Sequence, residues 1–339
     1  MTPASFGSDA SNANPPRDRQ ASSASPASSA DLAANDRPVI HSMAVVDPSA
    51  RLGRRVRIGP FCTVGPNVEL KDDVILHSHA VVDGHTVLGE GVQVFPFAAV
   101  GLPPQDLKYD GSSTRLIVGA RTIIRESATL QPGSVGDGCG VTSVGSDCLI
   151  MAYCHVAHDC VIGNRVIMAN GTQIAGHCRV DDFAILGGMT TIHQFVRVGT
   201  RAFTGAATRL QQDLPPFLLA DGHPARLVGL NAVGLRRAGM SSTAIEALKR
   251  AYRAIFRSGR YRAALDELAR TATSTSASLS TNASISANAS ISAGGKVDAK
   301  AGGTSPDDGD VEEVRQLVAF LMTSERGVTR ARTRTRGED

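Results

Sequence analysis

The central part of the chain places an aliphatic residue at every sixth position. From residue 144 to residue 210 this position holds an aliphatic residue or methionine in every repeat except at Thr204. The residue four places later is small or β-branched, as at Cys148 and Ala184. A period of six fits neither an α-helix nor an isolated strand, so the pattern indicates a solenoid of hexapeptide repeats.

The same spacing begins at Ile40 and continues without a slip to Val100. Each hexad then forms a short strand and a turn, three hexads close a triangular coil, and successive coils stack as parallel strands. Glycines often follow the aliphatic residue, where we expect the corners to need permissive backbone angles. These glycines are Gly53, Gly59, Gly65 and Gly89.

Two segments interrupt the repeat, and we predict that both are loops. Residues 101–116 are polar and contain two prolines, and residues 136–143 shift the phase of the pattern before Val144. Insertions in a solenoid project outward and often build a binding face. Asp106 and Lys108 lie in the first loop. A solvated loop with incidental charges is the alternative interpretation of that segment.

Composition divides the rest of the chain. Residues 1–38 are rich in Ser, Ala, Asn and Pro, so we predict a disordered N-terminal extension. The β-helix is predicted over 39–216, because the two prolines at its end cannot continue a ladder. Residues 217–339 are predicted to form a C-terminal helical domain that contains a disordered, low-complexity insert at 270–309.

Helical periodicity appears only after the repeats. One predicted helix starts after Ser241, presents Leu248 and Ile255 on its apolar face, and ends by Gly259. A second short helix is expected over 261–269, and a last one contains Leu317. We expect these helices to cap the open end of the solenoid, which would otherwise expose unpaired strand edges.

Composition narrows the class of protein further. Hydrophobic residues make up 42% of the chain and aromatic residues only 4%, which suits a core of stacked aliphatic side chains. The formal net charge of +3 gives no argument for binding nucleic acid. No stretch approaches the ~20 apolar residues of a transmembrane segment, and no signal peptide is visible. We therefore expect a soluble, cytoplasmic protein.

The six cysteines contain no CxxC pair. Five of them occupy the small-residue position of the hexad, and Cys139 lies in a loop. Buried free cysteine behaves as a small hydrophobe, so we interpret these residues as reduced core thiols in a reducing compartment. We expect neither disulfides nor a zinc site formed by thiolates.

Stacking the sequence in coils of three hexads brings polar residues together. His158 then shares a column with Gly176 and Gln194, while Asp159 shares the next column with His177. Including His193, six residues converge on one corner. Three interpretations remain open from spacing alone: a histidine general base oriented by a carboxylate, a metal site, or surface histidines that are hydrogen-bonded to turns.

Several motifs in the repeat region are specific in combination. They are IGPFCTVGPNV, QDLKY, IRES, HVAHDC, AGH, HQF, QDLPPF and LNAVGLRRAG, which lie between about residues 45 and 239, with a weaker likeness at SERGV (324–328). On these motifs the chain closely resembles the UDP-N-acetylglucosamine O-acyltransferases that start lipid A biosynthesis. The resemblance implies a left-handed parallel β-helix in a homotrimer. That handedness is an exception to the usual right-handed crossover.

The resemblance also implies a reaction and its residues. A 3-hydroxyacyl group would move from acyl carrier protein to the 3-hydroxyl of UDP-N-acetylglucosamine, with neither metal nor cofactor. Matching positions imply that His158 is the general base, that Asp159 orients it, and that the Gly176 N–H meets the developing oxyanion. The positions that match substrate-binding residues are Asp106, Lys108, His155, His177, His193, Gln194, Asn231 and Arg237. Basic residues of the C-terminal region would dock the acidic carrier protein.

Two positions depart from the family pattern. Gln131 stands where the family often has histidine, which puts a secondary substrate contact in doubt. Ala206 stands where long-chain members commonly have glycine beside the acyl tail. One added methyl group is expected to shorten the preferred acyl chain.

Other functions on the same repeat remain to be compared. The N-acyltransferase of the same pathway has a folded domain before its repeats, whereas a low-complexity leader precedes them here. Coenzyme A-dependent acetyltransferases fit the QDLKY and HVAHDC motifs poorly. A metal-dependent hydratase would need three convergent histidine ligands, and a non-catalytic scaffold would not need the histidine cluster.

Overall fold

The fold was analysed in a computed structural model that describes residues 36–135, 138–270 and 306–331. The predicted N-terminal extension lies almost entirely outside these residues, as does the predicted insert over residues 271–305. All of the described chain from Arg37 onward belongs to one compact unit. Its main body is a left-handed parallel β-helix of hexapeptide repeats, which confirms the predicted fold class, followed by helices.

Three parallel sheets form the faces of the β-helix, here called sheets A, B and C. Sheet A contains β1 (Val39–Ile40), β4 (Arg57–Ile58), β7 (Ile75–Leu76), β10 (Gln93–Val94), β13 (Ile123–Ile124), β16 (Leu149–Ile150), β19 (Ile167–Met168), β22 (Ile185–Leu186), β25 (Phe203–Thr204), β27 (Leu218–Asp221) and β28 (Arg226–Leu230). Sheet B contains β2 (Val45–Val46), β5 (Thr63–Val64), β8 (Val81–Val82), β11 (Ala99–Val100), β14 (Thr129–Leu130), β17 (His155–Val156), β20 (Gln173–Ile174), β23 (Thr191–Ile192) and β26 (Arg209–Leu210). Sheet C contains β3 (Arg51–Leu52), β6 (Glu69–Leu70), β9 (His85–Leu88), β12 (Arg115–Val118), β15 (Val141–Val144), β18 (Val161–Ile162), β21 (Arg179–Val180) and β24 (Arg197–Val198).

The chain passes from sheet A to sheet B to sheet C, and the three turns define corners AB, BC and CA. From β4 onward, the second residue of each two-residue strand is buried in the core, and so is the small or β-branched residue two places before it. Cys148, Ile150 and Cys154, for example, are all buried. Burial of one such aliphatic side chain contributes about 1.5–3 kcal/mol, and the stack achieves this burial jointly.

The corners contain left-handed residues that are mostly not glycine. Asp159 (φ 57°) and His177 (φ 61°) are two of many. Each such residue costs about 1–2 kcal/mol, so the burial of one aliphatic side chain is of the right size to offset one corner. The sequence places Gly53, Gly59, Gly65 and Gly89 directly after an aliphatic core residue. All except Gly65 have backbone atoms of the next coil directly above them.

Those glycines are therefore present for a reason other than the predicted one. Gly53 and Gly89 do not have a left-handed φ, and neither do Gly59 and Gly65. A Cβ at Gly53 would lie 2.7 Å from the backbone nitrogen of Asp72, and one at Gly89 would lie 2.7 Å from that of Ala120. Close approach of successive coils, not backbone freedom, excludes a side chain there.

The two insertions differ from the predicted bounds. Leu88 pairs with Val118, and Val118 pairs with Val144, so an extra segment lies within each of these coils. Because β12 already begins at Arg115, the first loop is 101–114 and not 101–116. The second loop is 131–140 and not 136–143, because residues 141–143 pair as part of β15. The phase of six cannot locate these ends, since the paired segments extend beyond one hexad.

Helices follow the solenoid, as predicted. They are α1 (Ala232–Arg237), α2 (Ser242–Phe256), α3 (261–270) and α4 (Pro306–Met322). The Ser241 side chain accepts a hydrogen bond from the Ala244 N–H and caps α2. Helix α4 includes residues 306–309, which the sequence had assigned to the disordered insert, and residue 270 lies in α3.

The C-terminal region closes the end of the solenoid. β27 extends sheet A from β25, and β28 returns antiparallel to it. Tyr252 of α2 packs into the same apolar cluster as Leu214 and Leu227. Beyond α4 the chain runs back over the last coil, where Asp213 forms a bridge with Val328. No helix among the described residues is both long enough and apolar enough to cross a lipid bilayer.

The close stacking of coils predicts an intolerance to Cβ atoms at the corners. A Cβ at Gly119 would lie 2.6 Å from backbone atoms of Gly145 and Ser146. We expect Gly119→Ala to lower the free energy of unfolding by about 1–3 kcal/mol, as overpacking does, measured by urea titration. Gly229→Ala is the control, because nothing lies within 4 Å of its Cβ position. Equal stability of the two variants would contradict this explanation.

Candidate active site

Corner BC collects the polar residues of the repeat. Both insertions leave the solenoid at this corner, since loop 101–114 joins β11 to β12 and loop 131–140 joins β14 to β15. The next turn at the same corner, between β17 and β18, contains His158 and Asp159. Consecutive coils therefore bring two irregular loops and one histidine–aspartate pair together.

His158 and Asp159 form a hydrogen-bonded pair. Nδ1 of His158 lies 2.9 Å from Oδ2 of Asp159. The His158 side chain is 16% exposed and that of Asp159 only 1%, so the imidazole reaches the surface and the carboxylate lies beneath it. An ionised carboxylate only accepts hydrogen bonds, so Nδ1 must carry a proton. In the neutral ring, Nε2 is then the free base.

Loop 131–140 surrounds the Asp159 carboxylate. Ser134 donates to Oδ2 from its Oγ (2.7 Å) and from its N–H (2.9 Å), and the Gly140 N–H donates to Oδ1 at 3.1 Å. Burial acts to raise the pKa of Asp159, but the hydrogen bonds from Ser134 and His158 outweigh it and lower that pKa. The loop thus keeps a buried carboxylate ionised next to the histidine.

Two further residues of this loop contact Asp159 closely. A Cβ at Gly138 would lie 2.5 Å from either carboxylate oxygen, so only glycine fits there. The Cys139 Sγ lies 3.8 Å from Oδ1. All six cysteines have free thiols, and Cys139 is the exposed one. Burial raises the pKa of the Cys62, Cys148 and Cys154 thiols, which fits inert core residues.

Gly176 lies directly against the His158 ring, one coil further along. A Cβ at Gly176 would lie 2.7 Å from His158 Nε2 and 2.6 Å from Cε1. Among the described residues, the Gly176 N–H has no hydrogen-bond partner. The Gly176 backbone thus adjoins the basic nitrogen, and an N–H without a protein partner in this backbone is available to a negative charge that develops during a reaction.

His177 extends the cluster along the same corner. Its ring meets the His158 ring edge-on, with 5.0 Å between centroids, and stacks on Phe195 of the next coil at 4.6 Å. The His177 N–H donates to the His158 carbonyl at 3.0 Å. These contacts confirm the columns of residues that the spacing of the sequence predicted.

His155 lies beside this corner on sheet B. Its Nδ1 is 2.7 Å from Thr129 Oγ1. Burial, and to a lesser extent the charge of His158, lowers the pKa of His155, which therefore favours the neutral ring. Gln131, one coil before it, is buried. Gln131 is the residue that stands where the family often has histidine. Its side chain is withdrawn from the surface.

The first loop reaches the same histidine from outside. Oδ2 of Asp106 lies 3.8 Å from His158 Nε2, and its Oδ1 accepts the Lys108 N–H at 3.0 Å. His193 and Gln194 occupy the turn between β23 and β24, also at corner BC, and both are exposed. One corner of one chain therefore brings together most of the residues that the sequence singled out.

Asn231 and Arg237 lie elsewhere, next to sheet A. Asn231 is buried, caps α1 by accepting from the Gly234 N–H, and donates to the Arg201 carbonyl at 3.0 Å. Asn231 and Arg237 line a cleft of about 480 Å³ together with Arg165, Phe183 and Arg201. The two guanidinium groups of Arg165 and Arg201 lie 5.4 and 4.3 Å from the Phe183 ring centroid.

Ala206 lies in a third place, at corner AB, where it belongs to the turn between β25 and β26. It is exposed. The structure thus distributes the predicted site over three separate places in one chain: corner BC, the cleft on sheet A and corner AB.

A metal ion fits corner BC poorly. His158, Asp159 and His177 offer ligand atoms within 4.8 Å of one another. However, both oxygens of Asp159 already accept hydrogen bonds from Ser134, Gly140 or His158, and an ion would have to displace them. The donor set therefore favours a general base over a metal site.

Sequence reasoning missed two residues of this corner. Ser134 lies in a segment without periodicity, and Arg326 comes from the C-terminal segment, where its Nη2 lies 2.7 Å from His193 Nδ1. The SERGV likeness was the only sequence signal for Arg326, and it indicated no role.

Comparisons with known proteins agree with this fold. A family model described as Udp N-acetylglucosamine O-acyltransferase, Domain 2, matches residues 213–329. A model of bacterial transferase hexapeptides matches residues 49–84 and 142–176. The first covers the end of the solenoid and helical residues that follow it. The second covers early coils of the solenoid and the coil that contains His158 and Asp159.

Two curated relatives have the same name, acyl-[acyl-carrier-protein]–UDP-N-acetylglucosamine O-acyltransferase. The one from Albidiferax ferrireducens is 48% identical over 218 residues, which span 64% of this chain and 82% of the relative. The one from Thiobacillus denitrificans is 42% identical over 291 residues, which span 86% of this chain and 99% of the relative. The structure of Francisella novicida UDP-N-acetylglucosamine acyltransferase superposes with a TM-score of 0.73 at 31% identity, over 86% of this chain and 94% of that one.

The contacts of Ser134 predict a measurable role in stability. Ser134→Ala removes one donor to a buried carboxylate, so we expect it to lower the free energy of unfolding at neutral pH by about 1.5–3 kcal/mol. Ser134→Thr keeps the hydroxyl and is expected to behave like the original chain. Urea titrations of the three proteins would measure this difference.

The same contacts predict how the difference varies with pH. The pKa of Asp159 is lower in the folded than in the unfolded chain, so its contribution is complete above the unfolded pKa. It is lost as the pH falls through the lowered, folded pKa. The deficit of Ser134→Ala should therefore be constant near neutrality and shrink in acid. A deficit that is absent at neutral pH would contradict this account.

Proposed function

Since this chain belongs to the UDP-N-acetylglucosamine O-acyltransferase family, we propose that corner BC is its active site and that His158 is the general base. The enzyme is an acyltransferase that moves a 3-hydroxyacyl group from acyl carrier protein to the 3-hydroxyl of UDP-N-acetylglucosamine, the first step of lipid A biosynthesis. The observation that best supports the assignment of the base is the 2.9 Å contact between His158 Nδ1 and Asp159.

The proposed reaction follows from the geometry of the pair. Asp159 holds the proton of His158 on Nδ1, so Nε2 accepts the proton of the sugar hydroxyl as its oxygen attacks the thioester carbon. Charge then develops on the thioester oxygen, which the free Gly176 N–H meets. When the intermediate collapses, the carbon–sulfur bond breaks. The proton on Nε2 passes to the departing thiolate of the carrier protein.

The remaining residues of corner BC are proposed to hold the substrates. Asp106 lies on the open side of His158 and is placed to bind the sugar, while Lys108 adds a positive charge that suits a pyrophosphate. His155, His177, His193 and Gln194 line the approach to the base. The lowered pKa of His155 favours a neutral ring, which would contact a substrate through hydrogen bonds and not through a positive charge.

We propose that Asn231 and Arg237 contact the nucleotide. The cleft they share with Arg165, Phe183 and Arg201 combines an aromatic ring with guanidinium groups, and guanidinium groups suit phosphate. This cleft lies on sheet A, away from the His158 of the same chain. One substrate therefore reaches both only if a second copy of the chain supplies one of the two surfaces.

A homotrimer is the assembly we propose for this reason. Closed rotational symmetry would place corner BC of each copy against a neighbour, and every copy would then contribute to two sites. Exposed apolar side chains at corner AB also require cover. They are Met43, Phe61, Phe97, Tyr153 and Met189.

The acyl carrier protein is proposed to dock on the C-terminal helices. Helix α2 exposes Arg250 and Arg253, which suit an acidic partner. We further propose that the enzyme acts in the cytoplasm. Its six free thiols suit a reducing compartment.

The proposed role of His158 predicts the outcome of its removal. His158→Ala should lower kcat/KM by about 10²–10⁴-fold, the range of general acid–base catalysis, and leave the oligomer unchanged in size-exclusion chromatography. Transfer would be measured with UDP-N-acetylglucosamine and a 3-hydroxyacyl carrier protein. His85→Ala is the matched control, since this exposed histidine lies on sheet C, outside corner BC. Near-normal transfer by His158→Ala would refute the mechanism.

The position of Ala206 predicts a preference among acyl chains. If its methyl group limits the space for the tail, Ala206→Gly should shift the preference toward longer chains. Each additional buried CH₂ contributes about 0.8 kcal/mol, so the ratio of kcat/KM between successive chain lengths should change several-fold. The assay compares a series of 3-hydroxyacyl carrier proteins.

Ala152→Gly provides the control for Ala206, because Ala152 occupies the equivalent turn of an earlier coil at corner AB. It should leave the preferred chain length unchanged. An identical chain-length profile for Ala206→Gly and the original enzyme would show that Ala206 does not set the length.

A further inference from the structure

A contact with the C-terminal segment fixes the protonation pattern of one histidine at corner BC. His193 lies in the turn after β23, and Arg326 belongs to the segment that follows α4. Arg326 donates from Nη2 to His193 Nδ1 at 2.7 Å and from Nε to the Gln211 carbonyl at 3.3 Å. The two donors hold the guanidinium between the ring and the last coil.

The segment around Arg326 is itself held to the solenoid. The Asp213 N–H donates to the Gly327 carbonyl at 2.9 Å, and the Thr329 N–H donates back to the Asp213 carbonyl at 2.9 Å. Ser324 Oγ donates to Asp213 Oδ2 at 2.8 Å. Arg326 is therefore presented to His193 by a paired backbone and not by a free tail.

His193 Nδ1 has two neighbours that require opposite protonation. The guanidinium has donors but no acceptor, so the contact with Arg326 requires a bare Nδ1 and places the proton of the neutral ring on Nε2. The Gln194 carbonyl lies 3.3 Å from the same Nδ1 and could only accept a proton from it. The two hydrogen bonds exclude each other. The contact with Arg326 is shorter and involves a charged donor, so it prevails.

Arg326 also lies close to the aromatic side chains that pack next to the proposed base. It lines a cleft of about 400 Å³ together with Phe195, and Phe195 stacks on His177, which meets His158 edge-on. Two stacked side chains, Phe195 and His177, therefore connect the cleft that contains Arg326 to the proposed base.

We propose that Arg326 is a positioning residue that selects the Nε2–H tautomer of His193. His193 then donates a hydrogen bond from Nε2 to an oxygen of a bound substrate, a hydroxyl, carbonyl or phosphate oxygen being the acceptor. This last step rests on the function proposed for corner BC, whereas the selection of the tautomer does not. Without Arg326, Nδ1 is free to carry the proton and bond Gln194, which would turn Nε2 into an acceptor.

The tautomer is measured by NMR on the full-length protein, using the ¹³Cδ2 and ¹⁵N shifts of His193, assigned by comparison with His193→Ala. The original chain should show a proton on Nε2. Arg326→Met, which keeps an unbranched side chain without its donors, should shift the ring toward the Nδ1–H form. Arg326→Lys restores a donor and should restore the original tautomer. An Nδ1–H ring in the original chain, or an unchanged ring in Arg326→Met, would overturn the proposal.

Kinetics test the consequence for the substrate. Arg326→Met should raise KM on the order of 10-fold, the effect of one misdirected hydrogen bond, with a smaller change in kcat. In a His193→Ala background the same substitution should have no further effect, since the two residues act as one unit. Additive losses would show that Arg326 acts independently of His193. Because the NMR measurement needs no substrate, its result stands even if the proposed function fails.

Discussion

The parallel stacking of equal coils is the constraint on which the whole structure depends. Most strands are only two residues long, yet they pair with the same position of the coils before and after them, as Val161 pairs with Arg179 and Arg179 with Arg197. A single hexad can bury almost nothing, so stability arises only from neighbours in register. That register also means that any residue at a corner lies above its counterpart in the next coil. A site can therefore be built from residues that are regularly spaced in the sequence.

Corner residues adopt unfavourable backbone angles, and their side chains remain available for hydrogen bonds outside the core. Residues such as Asp159 and His177 occupy the left-handed region at the points where the chain turns, and their side chains lie where they need not fill the core. Corner BC is also the place where the repeat is interrupted twice. The inserted loops have no partners in the ladder and instead fold over the turn that contains His158. One loop donates three hydrogen bonds to Asp159, and the other brings Asp106 to the open side of the histidine.

The segment that follows α4 adds a side chain to the histidine cluster that the solenoid forms. The segment after α4 returns to the last coil, pairs with it through Asp213 and Val328, and delivers Arg326 to His193. The C-terminal region is thus more than a cover for exposed strand edges, because it also contributes a charged donor at corner BC. The cleft with Asn231 and Arg237 lies on a different face, which links the proposed chemistry to the proposed assembly of several copies.

The sequence alone was enough to predict the β-helix, its corners and the clustering of histidines at one corner, because a strict period of six converts spacing directly into position. It also determined the start of α2, where Ser241 caps a helix whose apolar face is evident from its periodicity. It did not determine the ends of the two loops, because their paired segments extend beyond a hexad.

Which residues contact the histidines became evident only from the folded chain. Ser134 is 25 residues from Asp159, and Arg326 is 133 residues from His193, and neither belongs to a repeating pattern. The same is true of the glycines after the aliphatic positions. Their φ angles are ordinary, and it is the backbone of the next coil that excludes a Cβ at Gly53 and Gly89. Periodicity specifies which coils are neighbours, but close approach and hydrogen-bond direction exist only once the coils are stacked.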